Sequence, residues 1–159
     1  MIHELEADSS HWRPDVTVAT VVAVDGRFLF VEESIRGQRV LNQPAGHLEA
    51  DESLIDAAIR ETAEESAWEV EITGLIGVYQ WRSPNGGRDM LRFTFAAEPL
   101  RHLDAQPLDR GILRALWLSR DEVALGSWNL RTPLVLRSLD DFLAHPPLPI
   151  SAVQRFQAG

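Results

Sequence analysis

Glu61, Glu64 and Glu65 stand at spacings that place all three within about one 100° arc if the segment is helical. Like charges that close repel, and they weaken an isolated helix by a few tenths of a kcal/mol per pair. A divalent cation reverses the sign of that interaction, and hard carboxylate oxygens select Mg²⁺, Mn²⁺ or Ca²⁺. A plainer account also exists. Charge runs on helices usually face water, and Arg60 with Glu64 makes an i,i+4 pair worth about 0.3–0.5 kcal/mol. The acidity is nonetheless concentrated here. Residues 46–68 hold seven acids and one base, Arg60, and so carry most of the net charge of −9.

The rest of the composition narrows the chemistry. The chain has 159 residues with 24 acids and 15 bases; every base is Arg, and both Lys and Cys are absent. Without Cys there is no thiolate nucleophile, disulfide or Cys-ligated metal. Without Lys there is no phosphate-loop lysine, kinase-type ATP lysine or Schiff base. The acidic balance speaks against nucleic acid as a partner. The longest apolar run, Val16 to Val24, is too short to span a bilayer. The acidic first residues read against a secretory signal. The expected setting is the cytoplasm, with a small molecule as partner, no membrane contact, and a monomer or homodimer.

The spacing of the acidic window is more informative than its charge. Gly46 is followed after five residues by Glu52, then after seven by Arg60-Glu61, Glu64-Glu65 and Trp68. This resembles the box of the Nudix hydrolase family, with Thr62 at a usually aliphatic position and Ala67 at a usual Gly. A chance match at all six core positions is on the order of one in ten thousand. The segments Leu41 to Glu52, Tyr79 to Trp81, Leu91 to Phe93 and Asn129 to Pro133 are similar to a phosphatase branch of that family.

The resemblance implies an α+β fold, an α/β/α sandwich with mixed sheet. It implies water attack on nucleoside tri- and diphosphates and related diphosphates, including the thiamine-pathway hydroxymethylpyrimidine diphosphate, with release of inorganic phosphate. The alternatives are a pyrophosphatase for ADP-ribose or another nucleoside-diphosphate derivative, and a nucleotide sensor without turnover. Mg²⁺, with Mn²⁺ as substitute, is expected on Glu61, Glu64, Glu65 and the carbonyl of Ala45. Gly46, Glu52 and Arg60 are expected to shape the box. Glu65 and Glu61 lead as general base, ahead of Glu98 and Glu122. Arg39, Arg92 and Arg131 are candidates for phosphate, because the planar guanidinium fork bonds its oxygens in pairs. Tyr79 and Trp81 alternate on a strand and share a face, so both could stack on a ring. His47, inside the box loop, is a candidate substrate contact.

These side chains need elements to hold them. Residues 16–24 and 27–32 read as strands around Asp25-Gly26, a strong hairpin signal. A short strand is expected at 39–42, ended by Pro44 and Gly46. A helix is expected at 52–67, with Asp51 as N-cap and Leu54, Ile55, Ala58, Ile59 and Thr62 on one face. Strands at 76–82 and 90–97 flank Pro84-Asn85-Gly86-Gly87. A strand at 112–118 leads into a short helix near 119–125, and a last helix spans 134–144. The expected layout is a loosely ordered segment at 1–13, one domain at 14–145 and a Pro-rich tail at 146–159.

Overall fold

The computed structural model describes residues 11–157; most of the expected loose N-terminal segment, residues 1–10, lies outside them. Seven strands form the frame: β1 (Asp15–Val24), β2 (Arg27–Ile35), β3 (Gln38–Asn42), β4 (Ala45–His47), β5 (Trp68–Trp81), β6 (Met90–His102) and β7 (Ile112–Leu118). Three helices cover it: α1 (Leu54–Ser66), α2 (Arg120–Leu125) and α3 (Leu134–Ala144). Among the described residues, no helix is long and apolar enough to cross a membrane.

The sheet is mixed. β1 runs parallel to β6, from Asp15 opposite Met90 to Val22 opposite Ala97, and β5 continues the sheet antiparallel to β6. The other edge of β1 serves two partners in turn. Thr17 to Ala19 pair with β4, whereas Ala23 and Val24 pair with β2 at the Asp25-Gly26 hairpin. Both turn residues have positive φ, 50° and 74°, as that tight turn requires. β2 then carries β3 on one side and β7 on the other. The chain therefore crosses from one sheet to the other at Gln43-Pro44, and a crevice opens where β4 and β2 part.

Alternation along β1 divides the core. Val18 and Val22 face α1, together with Ala57, Ala58, Ile72 and Phe95. Val21 faces the other way, into a cluster with Phe30, Leu41, Val135 and Leu139 of α3. That gives the expected helix–sheet–helix layering. Leu148 pairs backbone to backbone with Leu75 on β5, and Pro147 and Leu148 lie against Gly74, where a Cβ would collide with them.

Several boundaries differ from the sequence expectation. The N-cap of α1 is Ser53, whose Oγ accepts from the Asp56 N–H at 3.0 Å; Asp51 instead occupies a turn at φ 64°. The buried face is Ala57, Ala58, Thr62 and Ser66, with Leu54, Ile55 and Ile59 only half-buried. β4 was expected to be loop, but the backbone of β1 recruits it. β5 begins eight residues early because β6 pairs with it back to Trp68. Ala67 keeps the left-handed turn at φ 59° without glycine, and its N–H still reaches the Ala63 carbonyl.

Thr62 has a partner that local sequence could not show. Its Oγ1 lies 2.8 Å from that of Thr20 on β1, and both side chains are fully buried. Thr62 spends its proton on the Ala58 carbonyl at 2.7 Å, so Thr20 must be the donor between the two hydroxyls. Thr62→Val should leave a buried donor unpaired and cost about 1–3 kcal/mol. The Thr20→Val/Thr62→Val double variant should recover much of that loss in denaturant titrations, because no orphan remains.

Candidate active site

The acidic helix and its loop are joined by one guanidinium. Arg60 Nε and Nη2 donate to the two Glu52 oxygens at 3.0 and 2.7 Å, and Nη2 also reaches the His47 carbonyl at 3.1 Å. Its Nη1 donates to Glu61 at 2.8 Å and Glu64 at 3.1 Å. Glu52 also accepts the Glu49 N–H at 2.8 Å, which closes the loop onto the helix N-terminus. The hydrogen bonds from Arg60 hold the Glu52 carboxyl below its ordinary range. Gly46 has a separate reason to be glycine. The Glu61 carboxylate lies directly against its Cα, in the space a Cβ would fill.

Glu65 is held differently. One oxygen accepts the Ala45 N–H at 3.1 Å, and no basic side chain is bonded to it among the described residues. Burial pushes its carboxyl up to about 8; the Ala45 bond opposes this, and Glu33, Glu61 and Asp109 add to it. Glu61 is raised too, first by burial and against the pull of Arg60. Oxygens of Glu61, Glu64 and Asp109 lie within 4.8 Å of one another. Asp109 arrives from the loop before β7, where its N–H bonds the Glu64 carbonyl at 2.9 Å. Three carboxylates, Glu61, Glu64 and Asp109, thus converge, with Glu65 outside that group; Arg60 is the one cation bonded to Glu61 and Glu64 among the described residues, and it is shared with Glu52. An all-oxygen, under-neutralised donor set of this kind fits a hard divalent cation.

Glu61 and Glu65, but not Glu64 or Asp109, open onto a cavity of about 390 Å³ lined by Ala45, Gly46, Glu61 and Glu65 on one side and Glu33, Asn42, Arg92 and Arg131 on the other. A cleft of about 1160 Å³ continues from it, past Trp81, Met90, Arg88, Ile35 and Pro133; the two share Thr17, His47, Met90, Arg131 and Thr132. The crevice between the two sheets is therefore the mouth of the site. Arg131 is brought there by backbone pairing: Leu41 N–H bonds the Asn129 carbonyl at 2.8 Å, and Arg131 N–H bonds the Leu41 carbonyl at 2.9 Å.

Arg92 is the most unusual member. It is 2% exposed and makes no ion pair within 4 Å among the described residues. Its Nη2 donates to the side-chain oxygens of Asn42 (3.4 Å) and Gln43 (3.2 Å), and its Nε has no partner. Burial lowers the guanidinium to about 10, with Glu65 and Glu33 pulling it back. Both amides are oriented from behind, Gln43 by the Val135 carbonyl and Ser138, Asn42 by Glu33. An uncompensated buried cation beside an open cavity is costly unless an anion enters.

Other candidates lie elsewhere. Arg39 is exposed and donates to Glu32 at 3.4 Å; it lines a separate shallow cavity with Trp128 and Asn129, not the one holding the carboxylates. Tyr79 shares a face with Trp81, but α3 covers it. Its hydroxyl donates to Asp141 at 2.7 Å, and neither cavity includes it. His47 is exposed at the junction of the cavities, 3.6 Å from Asp15. Glu98 is exposed and pairs with Glu71 at the far end of β6, and Glu122 caps α2 while bonding Arg27. Neither reaches the site. Asp109 and Glu33 were missed. Nothing in their local sequence marks them, whereas Asn42 and Gln43 lay inside a segment already singled out.

The family model described as NUDIX domain matches residues 11–139. The chain is 41% identical over 145 residues to "Phosphatase NudJ" of Escherichia coli, covering 91% of this chain and 94% of that protein. A NUDIX hydrolase from Nitrosomonas europaea superposes with a TM-score of 0.87 at 41% identity, over 91% of this chain and 98% of that one. A UDP-X diphosphatase shares the fold alone, with a TM-score of 0.70 at 18% identity over 90% of this chain and 70% of that one. With the family model matching most of its length and these relatives covering 91% of it, the chain belongs to the Nudix hydrolase family.

Proposed function

We propose that the chain is a Mg²⁺-dependent phosphohydrolase of nucleoside tri- and diphosphates and related pyrimidine diphosphates, including the hydroxymethylpyrimidine diphosphate of the thiamine pathway, releasing inorganic phosphate. The observation that carries this is that Glu61 and Glu65 share one cavity with Arg92 and Arg131, while Glu64 and Asp109 are grouped around Glu61. Similarity to the phosphatase NudJ along most of the chain supports the same chemistry.

Glu61, Glu64 and Glu65 would hold the ion with the Ala45 carbonyl, and Asp109 joins them from its loop. Mn²⁺, also a hard cation, is the expected substitute. The bound ion would neutralise phosphate charge and polarise a phosphoryl oxygen. The chain's own groups do the rest. Arg92 and Arg131 fix the phosphate oxygens, which converts the approach of water into a step within one complex. Water forms the new O–P bond as the P–O bond to the leaving group breaks. A carboxylate oxygen of Glu65 or Glu61 accepts the water's proton. Trp81, with Met90 and Pro133, offers apolar surface to the ring of the leaving group.

A second reading has its own observation. The cleft of about 1160 Å³ exceeds what a single ring fills, so it favours a diphosphate with a bulky second group, such as ADP-ribose. The intact carboxylate set supports turnover over a sensor that only binds.

With Mg²⁺, purified protein should release phosphate from nucleoside di- and triphosphates or the pyrimidine diphosphate faster than it cleaves sugar nucleotides. Glu65→Gln should lower kcat at least 100-fold. No turnover on any of these would sink the enzyme reading, and preferential cleavage of ADP-ribose would favour the second.

Stability should follow Glu65 in the metal-free protein. Its folded value near 8 lies above its ordinary value of 4.5, so folding favours the protonated carboxyl. Its stabilising share is complete below about pH 4.5 and is lost as pH rises through about 8. In thermal melts with chelator, Tm should fall from pH 5 to pH 8. Glu65→Gln should flatten that slope and melt higher at pH 8, by the equivalent of about 1–3 kcal/mol. Mg²⁺ should raise Tm of the wild type at pH 8 more than that of the variant.

A further inference from the structure

Glu33 is a carboxylate that neither the box nor the ion set uses. The register of β2 with β7 shifts between Glu32 and Glu33, with the extra residue, Leu113, on β7, whereas the pairing of β2 with β3 runs unbroken through Glu33. The two neighbours have opposite fates. Glu32 is buried and neutralised by Arg114 at 2.7 Å and Arg39 at 3.4 Å. Glu33 has no basic side chain within ion-pair distance among the described residues. It takes one neutral hydrogen bond, from Asn42 Nδ2 to its Oε1 at 3.2 Å, and lines the cavity with Arg92.

Asn42 stands between the two charges. Its oxygen accepts from Arg92 and its nitrogen donates to Glu33. The cavity wall therefore presents a cation and an anion one amide apart. A substrate must match both: an anionic oxygen at Arg92 and a hydrogen-bond donor at Glu33. A phosphate at Glu33 would be repelled, so the donor belongs to the other end of the substrate. Alternation places Ile35 on the same face of β2 as Glu33, and Ile35 and Val40 line the larger cleft with Trp81, Met90 and Pro133. Glu33 thus lines the phosphate cavity two residues along β2 from Ile35, which lines the apolar cleft that would take a ring.

We propose that Glu33 is a specificity-determining residue that accepts a hydrogen bond from an exocyclic amino group on the heteroaromatic ring of the substrate. The site then prefers amino-bearing rings to their oxo counterparts, whose carbonyl oxygen would face the carboxylate with no proton between them. This rests on the activity proposed above. A site built to bond an N–H rejects the analogue that lacks it more strongly than an apolar pocket would.

The test uses pairs of nucleoside diphosphates differing at that position, CDP against UDP and ADP against IDP. Wild-type protein should favour the amino member of each pair by at least tenfold in kcat/KM. In Glu33→Gln the side-chain amide can donate to a carbonyl, so the amino members should lose at least tenfold while the oxo members hold or gain. Glu33→Ala should abolish the preference without inverting it. A uniform loss across both members, carried by kcat, would assign Glu33 to the chemistry and overturn the proposal. So would an unchanged preference in both variants. Binding of methylene-bridged analogues of the same pairs, measured by calorimetry with Mg²⁺, reads the preference without turnover. A protein that discriminates in binding but hydrolyses nothing would refute the activity and keep this inference.

Discussion

One guanidinium holds the acidic half of this molecule together. Arg60 spans Glu52, Glu61, Glu64 and the His47 carbonyl, tying the loop after β4 to α1. Five fixed N–H donors on a planar fork can serve that many acceptors at once, which a flexible ammonium could not do in one geometry. Remove it, and like charges on one helix arc would face each other with only solvent to screen them. Its charge does not balance the site, however. One cation shared among Glu52, Glu61 and Glu64 leaves Glu65 without a counterion, and burial then makes the deficit expensive. The fold tolerates this because the cost is confined to one cavity wall.

The opposite wall carries the complementary debt. Arg92 is a buried cation held, among the described residues, by amide oxygens alone. Between them, the two walls form an interior dipole across a cavity that an ion and an anionic substrate can fill together. This explains how a chain with a net charge of −9 can serve an anionic substrate. The surplus acid is concentrated on α1 and its loop, and the phosphates of the proposed substrate would meet Arg92 and Arg131.

What the sequence could show follows from how local each feature is. Glu61, Glu64 and Glu65 were readable because helical periodicity brings near neighbours onto one arc. Gly46 was readable from its spacing, although its reason, the Glu61 carboxylate against its Cα, was not. The hairpin at Asp25-Gly26 and the limits of β7 and α3 were also readable, since turn and cap signals are short-range. Asp109 was not, because it reaches Glu64 only through the loop ahead of β7. Glu33 was not either, because its place at the cavity depends on the pairing of β2 with β3 and on Asn42 across that strand pair. The alternation of Tyr79 and Trp81 correctly gave a shared face, but the strand carries no information about α3, which covers Tyr79 and leaves Trp81 at the cleft. Arg39 and Arg92 look alike in sequence; only the register of β3 and β6 makes one a surface residue and the other a cavity wall.

The divided edge of β1 has a further consequence, for how readily this scaffold can change its diet. The carboxylates and their Arg60 clamp hang from β4 and α1, on one bank of the crevice. Glu33, Trp81 and Arg131 come from β2, β5 and the segment after α2, and among the described residues no hydrogen bond links these three to the α1 carboxylates. Sites that share no partners vary almost independently. A substitution at Trp81, which lines only the outer cleft, would therefore change which leaving group fits without retuning the carboxylates, whereas one at Glu33 would also relieve its push on the Glu65 carboxyl, so the outer cleft is the part of the site most freely diversified.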